Sequence, residues 1–273
     1  MKKAKKTIII ILGIILFLII FIPIWAFFIE PNLLIVRRIS INDPELKGIK
    51  IAFLSDLHVC QDGKADVLRV INKVNAQNPD LILLGGDYLN IIIYKNKSMN
   101  PKNISLLLTG LKAKYGVYMV FGNHDSSNRT TKIFQDTLKN TDIKILNNAN
   151  TQIQIRDKIF YLVGIGDFSE NRHKIDRAFN GVKTPVIVFT HSPDIFPLIP
   201  NYVNMVFAGH THGGQVYIPF YGPMALPTRC LGIYIKGFYE DGNKKMFVSS
   251  GVGTSHLKVR FFNLPEIVIA DFK

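Results

Sequence analysis

Cysteine is nearly absent: Cys60 and Cys230 are the two in 273 residues. That excludes a disulfide scaffold and any cysteine-rich zinc module, while one bridge between the two stays open. Acidic residues are also scarce, with 20 Asp and Glu against 33 Lys and Arg and a formal net charge of +13. No single basic tail explains the deficit, since residues 1–36 carry +3 and residues 37–273 carry +10. A basic body suits a polyanion, an anionic bilayer surface or a phosphate-bearing substrate. Interleaved basic and aromatic residues are missing, as is any nucleic-acid motif, so nucleic acid is not an expected partner. Charged residues reach only 19% and hydrophobic ones 48%, which excludes global disorder. No internal repeat or low-complexity tract follows residue 30.

Charge is most completely absent from residues 8–29, IIIILGIILFLIIFIPIWAFFI. As a helix this run spans about 33 Å, close to the hydrocarbon thickness of a bilayer. A cleaved signal peptide needs a shorter apolar run ending at small residues. Here Trp25, Phe27, Phe28 and Ile29 occupy the place of a cleavage site, so an uncleaved anchor is expected. Lys2, Lys3, Lys5 and Lys6 precede the span, and Glu30, Arg37 and Arg38 follow it. The positive-inside bias then puts the N-terminus in the cytoplasm, the chain in the cell (inner) membrane as a single-pass protein, and the remainder on the outer face.

Residues 1–7 thus read as a basic N-terminus, 8–29 as a transmembrane anchor, 30–48 as a linker with one strand, and 49–273 as the catalytic domain. Within that domain short apolar runs precede polar loops: Ile49–Leu54 before SDLH, Leu81–Leu84 before GGD, and Val117–Phe121 before GNHD. Val186–Thr190 precedes HSPD, and Met205–Ala208 precedes GHTHGG. Lys64–Ala76 and Ile104–Ala113 have helical spacing. Thr151–Ile155, Ile159–Val163, Met246–Val248 and Ile267–Ala270 alternate with period two, as strands do. The pattern is α/β with central strands.

Five strand ends each deliver His, Asp or Asn into a loop, the place where open α/β folds put their sites. The set is Asp56 and His58, Asp87, Asn123 with His124 and Asp125, His191, and His210 with His212. Asp56 and His58, spaced i and i+2, are expected to point the same way along an extended segment, and His210 and His212 repeat that spacing. Carboxylates, imidazoles and a neutral Asn amide suit Mn, Fe or Zn better than calcium. Each piece alone has a plainer reading: GGD as a turn, GNHD as an Asn turn with Asp125 as a helix cap, His191 as a satisfied half-buried histidine. Five coincidences at strand ends outweigh those readings together.

The series DLH, GGDY, GNHD, H and GHTHGGQ resembles the calcineurin-like metallophosphoesterases across residues 50–273. PDLILLGGDY, AGHTHGGQVYIP, SGVGTS and RFFNLPEI are similar to its membrane-associated bacterial branch, which includes UDP-2,3-diacylglucosamine pyrophosphohydrolases of lipid A biosynthesis. The resemblance implies a four-layer αββα sandwich and two divalent metal ions, Mn²⁺ foremost with Fe or Zn as alternatives. It implies that Asp56, His58 and His212 hold one ion, that Asn123, His191 and His210 hold the other, and that Asp87 bridges them. His124 would be the non-ligand histidine near the scissile phosphate, oriented by Asp125. The implied activity is a phosphodiesterase or pyrophosphohydrolase acting on a lipid-linked, phosphate-containing substrate. A nucleotide-sugar lipid would be met on the cytoplasmic side, in conflict with the charge bias.

Two alternatives stay open: a nucleotide or nucleic-acid phosphodiesterase, and a non-catalytic metal-binding scaffold. Among other residues, His256 and Arg260 are candidates for substrate phosphate, or else surface strand residues. Asp167 is a candidate neighbour of the ligands or a turn residue. Cys60 is expected as a buried inert thiol. Residues 216–245, rich in Tyr, Phe, Pro and Gly, are expected to form an apolar lip.

Overall fold

Ile51–Leu54, Leu81–Leu84 and Val186–Thr190 are buried at every position, as strands covered on both faces must be. The protein is described here by a computed structural model covering residues 2–90, 98–226 and 232–273. In chain order the elements begin with α1 (Lys2–Ile24), β1 (Ile35–Ile41), β2 (Lys50–Leu54), α2 (Lys64–Asn75), β3 (Leu81–Leu84) and α3 (Pro101–Leu108). Next come β4 (Val117–Met119), α4 (Asn128–Leu138), β5 (Ile143–Ile145), β6 (Ala149–Ile155), β7 (Lys158–Ile165), α5 (Ile175–Ala178) and β8 (Val186–Thr190). The chain closes with β9 (Met205–Ala208), β10 (Tyr217–Ile218), β11 (Gly222–Pro223), β12 (Gly237–Asp241), β13 (Lys244–Val248) and β14 (Glu266–Phe272).

Two six-stranded sheets result, ordered β1-β14-β2-β3-β4-β5 and β12-β13-β9-β8-β7-β6. Strands β2, β3, β4 and β5 run parallel, as do β7, β8, β9 and β13. Alternation sorts the side chains. Ile51 and Phe53 of β2 face the second sheet and join Leu81, Leu83, Ile187, Phe189 and Phe207 in the inner core. The Phe53 and Phe207 rings stack across it with centroids 5.6 Å apart. Ala52 and Leu54 face outward onto Val67, Val70, Ile71 and Val74 of α2. Beyond the second sheet, Val188 and Val206 pack on Ala178 of α5 and on Ile195 and Phe196 of a 3₁₀ turn. The architecture is the four-layer αββα sandwich that the resemblance implies, with an apolar helix ahead of it long enough to cross a bilayer.

Helix α3 starts earlier and stops earlier than the apolar spacing suggests. Asn100 caps it by accepting the Lys102 N–H at 2.9 Å, and Pro101 takes the first position, where its missing N–H costs nothing. Leu111 keeps the spacing going because it packs into the same core from a turn. Helix α4 went unforeseen: of its residues only Phe134 and Leu138 are buried, too few to show a period. In residues 30–48, β1 pairs parallel with β14 at the edge of the first sheet. The expected lip is corrected in part. Residues 237–241 and 244–248 are sheet strands, and residues 227–231 lie outside the described residues, as does Cys230.

Candidate metal centre

The parallel strands β2, β3 and β4 of one sheet and β8 and β9 of the other end at the same side of the sandwich. Their following loops deliver Asp56 and His58, Asp87, Asn123 and His124, His191, and His210 and His212. The i, i+2 expectation needs correction. Asp56 has φ 58°, His58 43°, His210 71° and His212 51°, so neither pair lies along an extended segment. Asp87 shares that left-handed backbone at φ 55°. Five non-glycine residues in a sparsely populated region are held by surrounding contacts, a concentration of strain common at functional sites. Close approach supplies one of those contacts: a Cβ on Gly122 would run into the Asp87 carboxylate.

The side chains converge in two groups, linked by a third that joins His58 and Asp87 to His124. Asp56, His58 and His212 form one, with His58 Nε2 3.1 Å from His212 Nε2 and His212 Nε2 3.6 Å from Asp56 Oδ1. Asp87, His191 and His210 form the other, with His210 Nδ1 2.9 Å from His191 Nε2. Asn123 Oδ1 lies 3.0 Å from that same Nε2. Asp87 stands between the groups: its Oδ2 is 3.5 Å from His58 Nε2 and 3.3 Å from His191 Nε2. Its other oxygen accepts the His124 N–H at 2.9 Å.

Backbone carbonyls fix which nitrogens point inward. His58 Nδ1 donates to Leu89 O at 3.1 Å and His191 Nδ1 donates to Gly85 O at 2.9 Å. In the neutral His58 ring this leaves Nε2 as the lone-pair nitrogen, and in His191 it turns Nε2 toward the cluster, the way second partners orient metal ligands. Asp56 accepts the His210 N–H with both oxygens at 3.1 Å.

Burial and neighbouring charges push the groups of this centre in opposite directions. Burial holds His58 down to about 3 and His212 well below its ordinary value, so both stay neutral. Burial lifts Asp56 to about 6. Burial opposes the ionisation of Asp87 as well, yet the neighbouring His191 keeps its carboxyl well below the usual range, and Asp87 in turn raises His191. Around His191 Nε2 three atoms, Asn123 Oδ1, His210 Nδ1 and Asp87 Oδ2, gather within 3.3 Å. Polar atoms packed so closely away from water need a positive charge among them, which a proton on His191 or a metal ion supplies. The donor set therefore fits divalent metal at both groups.

Other residues fall differently from expectation. Asp125 does not orient His124: its carboxylate accepts the N–H groups of Tyr88, Leu89 and Gly122 and ties the GGDY loop to GNHD. His124 Nε2 lies 3.9 Å from Asp87 Oδ2, and burial lowers its pKa against the pull of Asp87. Arg260 is fully buried, its guanidinium donating to the carbonyls of Ser250, Gly251, Gly253 and Asn263. It clamps the SGVGTS turn and does not face the cleft. His256 is exposed on the next loop, near enough that its charge depresses His124. Asp167 serves a turn, accepting from the Ser169 hydroxyl and the Glu170 N–H. Cys60 is half-buried with a free thiol, 2.9 Å from Asn90 Nδ2. Gln215 staples the His256 loop, accepting the Ser255 N–H and donating to Ser255 O and Leu257 O.

One pair escaped the reading of the motifs. Glu30 is buried at the foot of the apolar helix, where it accepts the Trp25 indole N–H at 2.6 Å and the N–H groups of Phe262 and Asn263. The Asn263 side-chain amide donates to the carbonyl of His212, and Arg260 N–H bonds to Ala26 O at 2.9 Å. The helix foot is thus bonded to a loop that holds a member of the first cluster.

The chain is similar to several known proteins. The calcineurin-like phosphoesterase family profile matches residues 49–214. The uncharacterized metallophosphoesterase YkuE of Bacillus subtilis is 28% identical over 91% of this chain and 89% of its own. The phosphodiesterase YaeI of Escherichia coli is 31% identical over 87% of each chain. The UDP-2,3-diacylglucosamine pyrophosphatase LpxG of Chlamydia muridarum is 25% identical over 90% of this chain and 91% of its own.

Proposed function

Because the chain belongs to the calcineurin-like phosphoesterases and is on that account a hydrolase, we propose that it cleaves a phosphodiester or pyrophosphate bond of a lipid-linked substrate at a two-metal centre. The carrying observation is the two His/Asp clusters linked through His58, Asp87 and His124. In this reading Asp56, His58 and His212 hold one ion, Asn123, His191 and His210 hold the other, and Asp87 bridges them. Manganese suits this mixed oxygen and imidazole set, with iron and zinc close behind. When bound, such ions supply hydroxide near neutral pH and clamp phosphate oxygens during in-line displacement.

The chain's own residues do the rest. Leu89 O and Gly85 O aim the ring nitrogens of His58 and His191, and the His210 N–H steadies Asp56. His124, with its side chain 11% exposed, is the imidazole beside the centre that can reach a phosphate or leaving-group oxygen with a hydrogen bond. His256 on the adjoining loop adds a second contact for phosphate.

Two features support the lipid. The LpxG relative carries a diacylated sugar nucleotide in its name. Burial of Ala26 and Glu30 at the foot of the apolar helix supports a retained anchor over a cleaved leader. In this reading the helix anchors the enzyme in the inner membrane. The lysine bias puts the N-terminus in the cytoplasm, whereas a nucleotide-sugar lipid as substrate calls for an orientation against that bias. The test compares UDP-2,3-diacylglucosamine with its deacylated analogue, using full-length protein and Mn²⁺ in mixed micelles. kcat/KM should be more than tenfold higher for the acylated form, and equal values refute the lipid-linked substrate.

A further inference from the structure

A cavity of about 340 Å³ opens beside the first metal cluster and reaches the foot of the apolar helix. His58 and His256 line it at one end and Pro31, Asn32 and Leu34 at the other. Leu57, Val67, Val70, Val252 and Leu257 give its walls an apolar character. Arg69, paired with Asp66 at 3.0 Å, borders it together with Lys258 and Asp62, so cationic and anionic groups balance there and leave the apolar wall to favour an alkyl chain. The volume lies at the low end of small-molecule sites, about 300–1,000 Å³, enough for one alkyl chain segment and too little for a second bulky group.

The helix foot does not swing as a tether would. The Trp25 and Ala26 bonds and the buried Glu30 carboxylate hold it on the loop of residues 260–263. Phe27, Phe28, Leu33, Leu257 and Phe262, on the segments that meet there, are all exposed. Water-facing aromatic and aliphatic side chains around the end of a bilayer-length helix mark the level of the membrane surface. The outer end of the cavity therefore sits where acyl chains begin, and its inner end touches a metal-cluster histidine.

We propose that this groove takes the acyl chain of a membrane-resident phospholipid-like substrate, drawing its phosphate from the bilayer to the His58 side of the centre. The inference rests on the lipid-linked substrate proposed above and adds where the chain runs. Apolar contact in the groove offsets the cost of lifting methylenes out of the bilayer, so the phosphate can reach the centre without the lipid leaving the membrane.

Cys60 lines the same groove and reports its occupancy. The experiment uses full-length Mn²⁺-loaded protein carrying Cys230→Ser, solubilised in a detergent with a rigid sterol tail. Maleimide alkylation of Cys60 is followed by mass spectrometry with dodecyl phosphate, butyl phosphate or inorganic phosphate added. Dodecyl phosphate should slow alkylation at least tenfold, while the two short probes leave it within twofold. No slowing by dodecyl phosphate overturns the proposal. Equal slowing by inorganic phosphate overturns it too, because shielding would then come from the head group. Leu257→Glu puts a carboxylate on the groove wall at an exposed position the fold does not need. It should restore alkylation in dodecyl phosphate, and unchanged protection would place the chain elsewhere. Because the readout is a thiol, a protein that protects Cys60 but fails to cleave lipid-linked phosphate would sink the substrate reading and leave the groove standing.

Discussion

At Asp87 one carboxylate oxygen accepts the His124 N–H, and the other faces His58 and His191 from either side. Removing it takes a ligand from both ions at once. Asp87→Ala is therefore expected to bind fewer than two ions per chain by elemental analysis and to lose activity, and two retained ions would refute the bridge. Metal loss also lowers the melting temperature, since an ion at 100 times its Kd contributes about 2.7 kcal/mol to the folded state. His124 differs in kind. His124→Ala should keep both ions yet lose about 10²–10⁴ in kcat, the usual range for a positioned acid or base. Ion loss with normal turnover in the remaining holoenzyme would make His124 a ligand. These residue types were legible because each follows an apolar run. Their geometry was not, because i, i+2 spacing says nothing of a left-handed φ, as at Asp56 and His58. Arg260 misled for a related reason: sequence shows a cation near a loop, and only the fold shows four carbonyls enclosing it.

Among the elements, fully buried strands such as β3 and β8 announced themselves as short apolar runs. Helix α4, with two buried residues, did not. The junction of α1 with the domain was illegible for a different reason, since its partners, Glu30 and residues 260–263, lie more than 200 positions apart. Trp25 is the only tryptophan, so its fluorescence reports that junction directly. Glu30→Ala strips the indole and two backbone N–H groups of their acceptor, at about 1–3 kcal/mol for buried donors left unpaired. The variant should show Trp25 more open to acrylamide quenching and a lower melting temperature. Unchanged quenching would mean that Glu30 does not hold the helix foot.

For the whole molecule, the apolar helix is bonded to the αββα body through that junction, which changes how a deletion of the proposed anchor must be made. Removing residues 1–29 would also take Trp25 and Ala26, both bonded into the domain, and would confound loss of the membrane with loss of packing. A deletion ending at Ile24 removes the α1 span and keeps the foot. In the proposed reading, tethering confines the centre close to the bilayer, so a lipid head group is met at an effective concentration that a soluble substrate does not share. The basic body, +10 beyond residue 36, adds attraction to anionic lipid at about 1 kcal/mol per basic residue near the surface. The truncated protein should therefore lose more than tenfold in turnover of a lipid-linked diester presented in vesicles. Its rate on a small chromogenic diester should stay within twofold, because no metal-cluster residue lies in the deleted segment. If both rates fall equally, the helix serves only the stability of the domain, and the lipid-linked substrate loses its physical support.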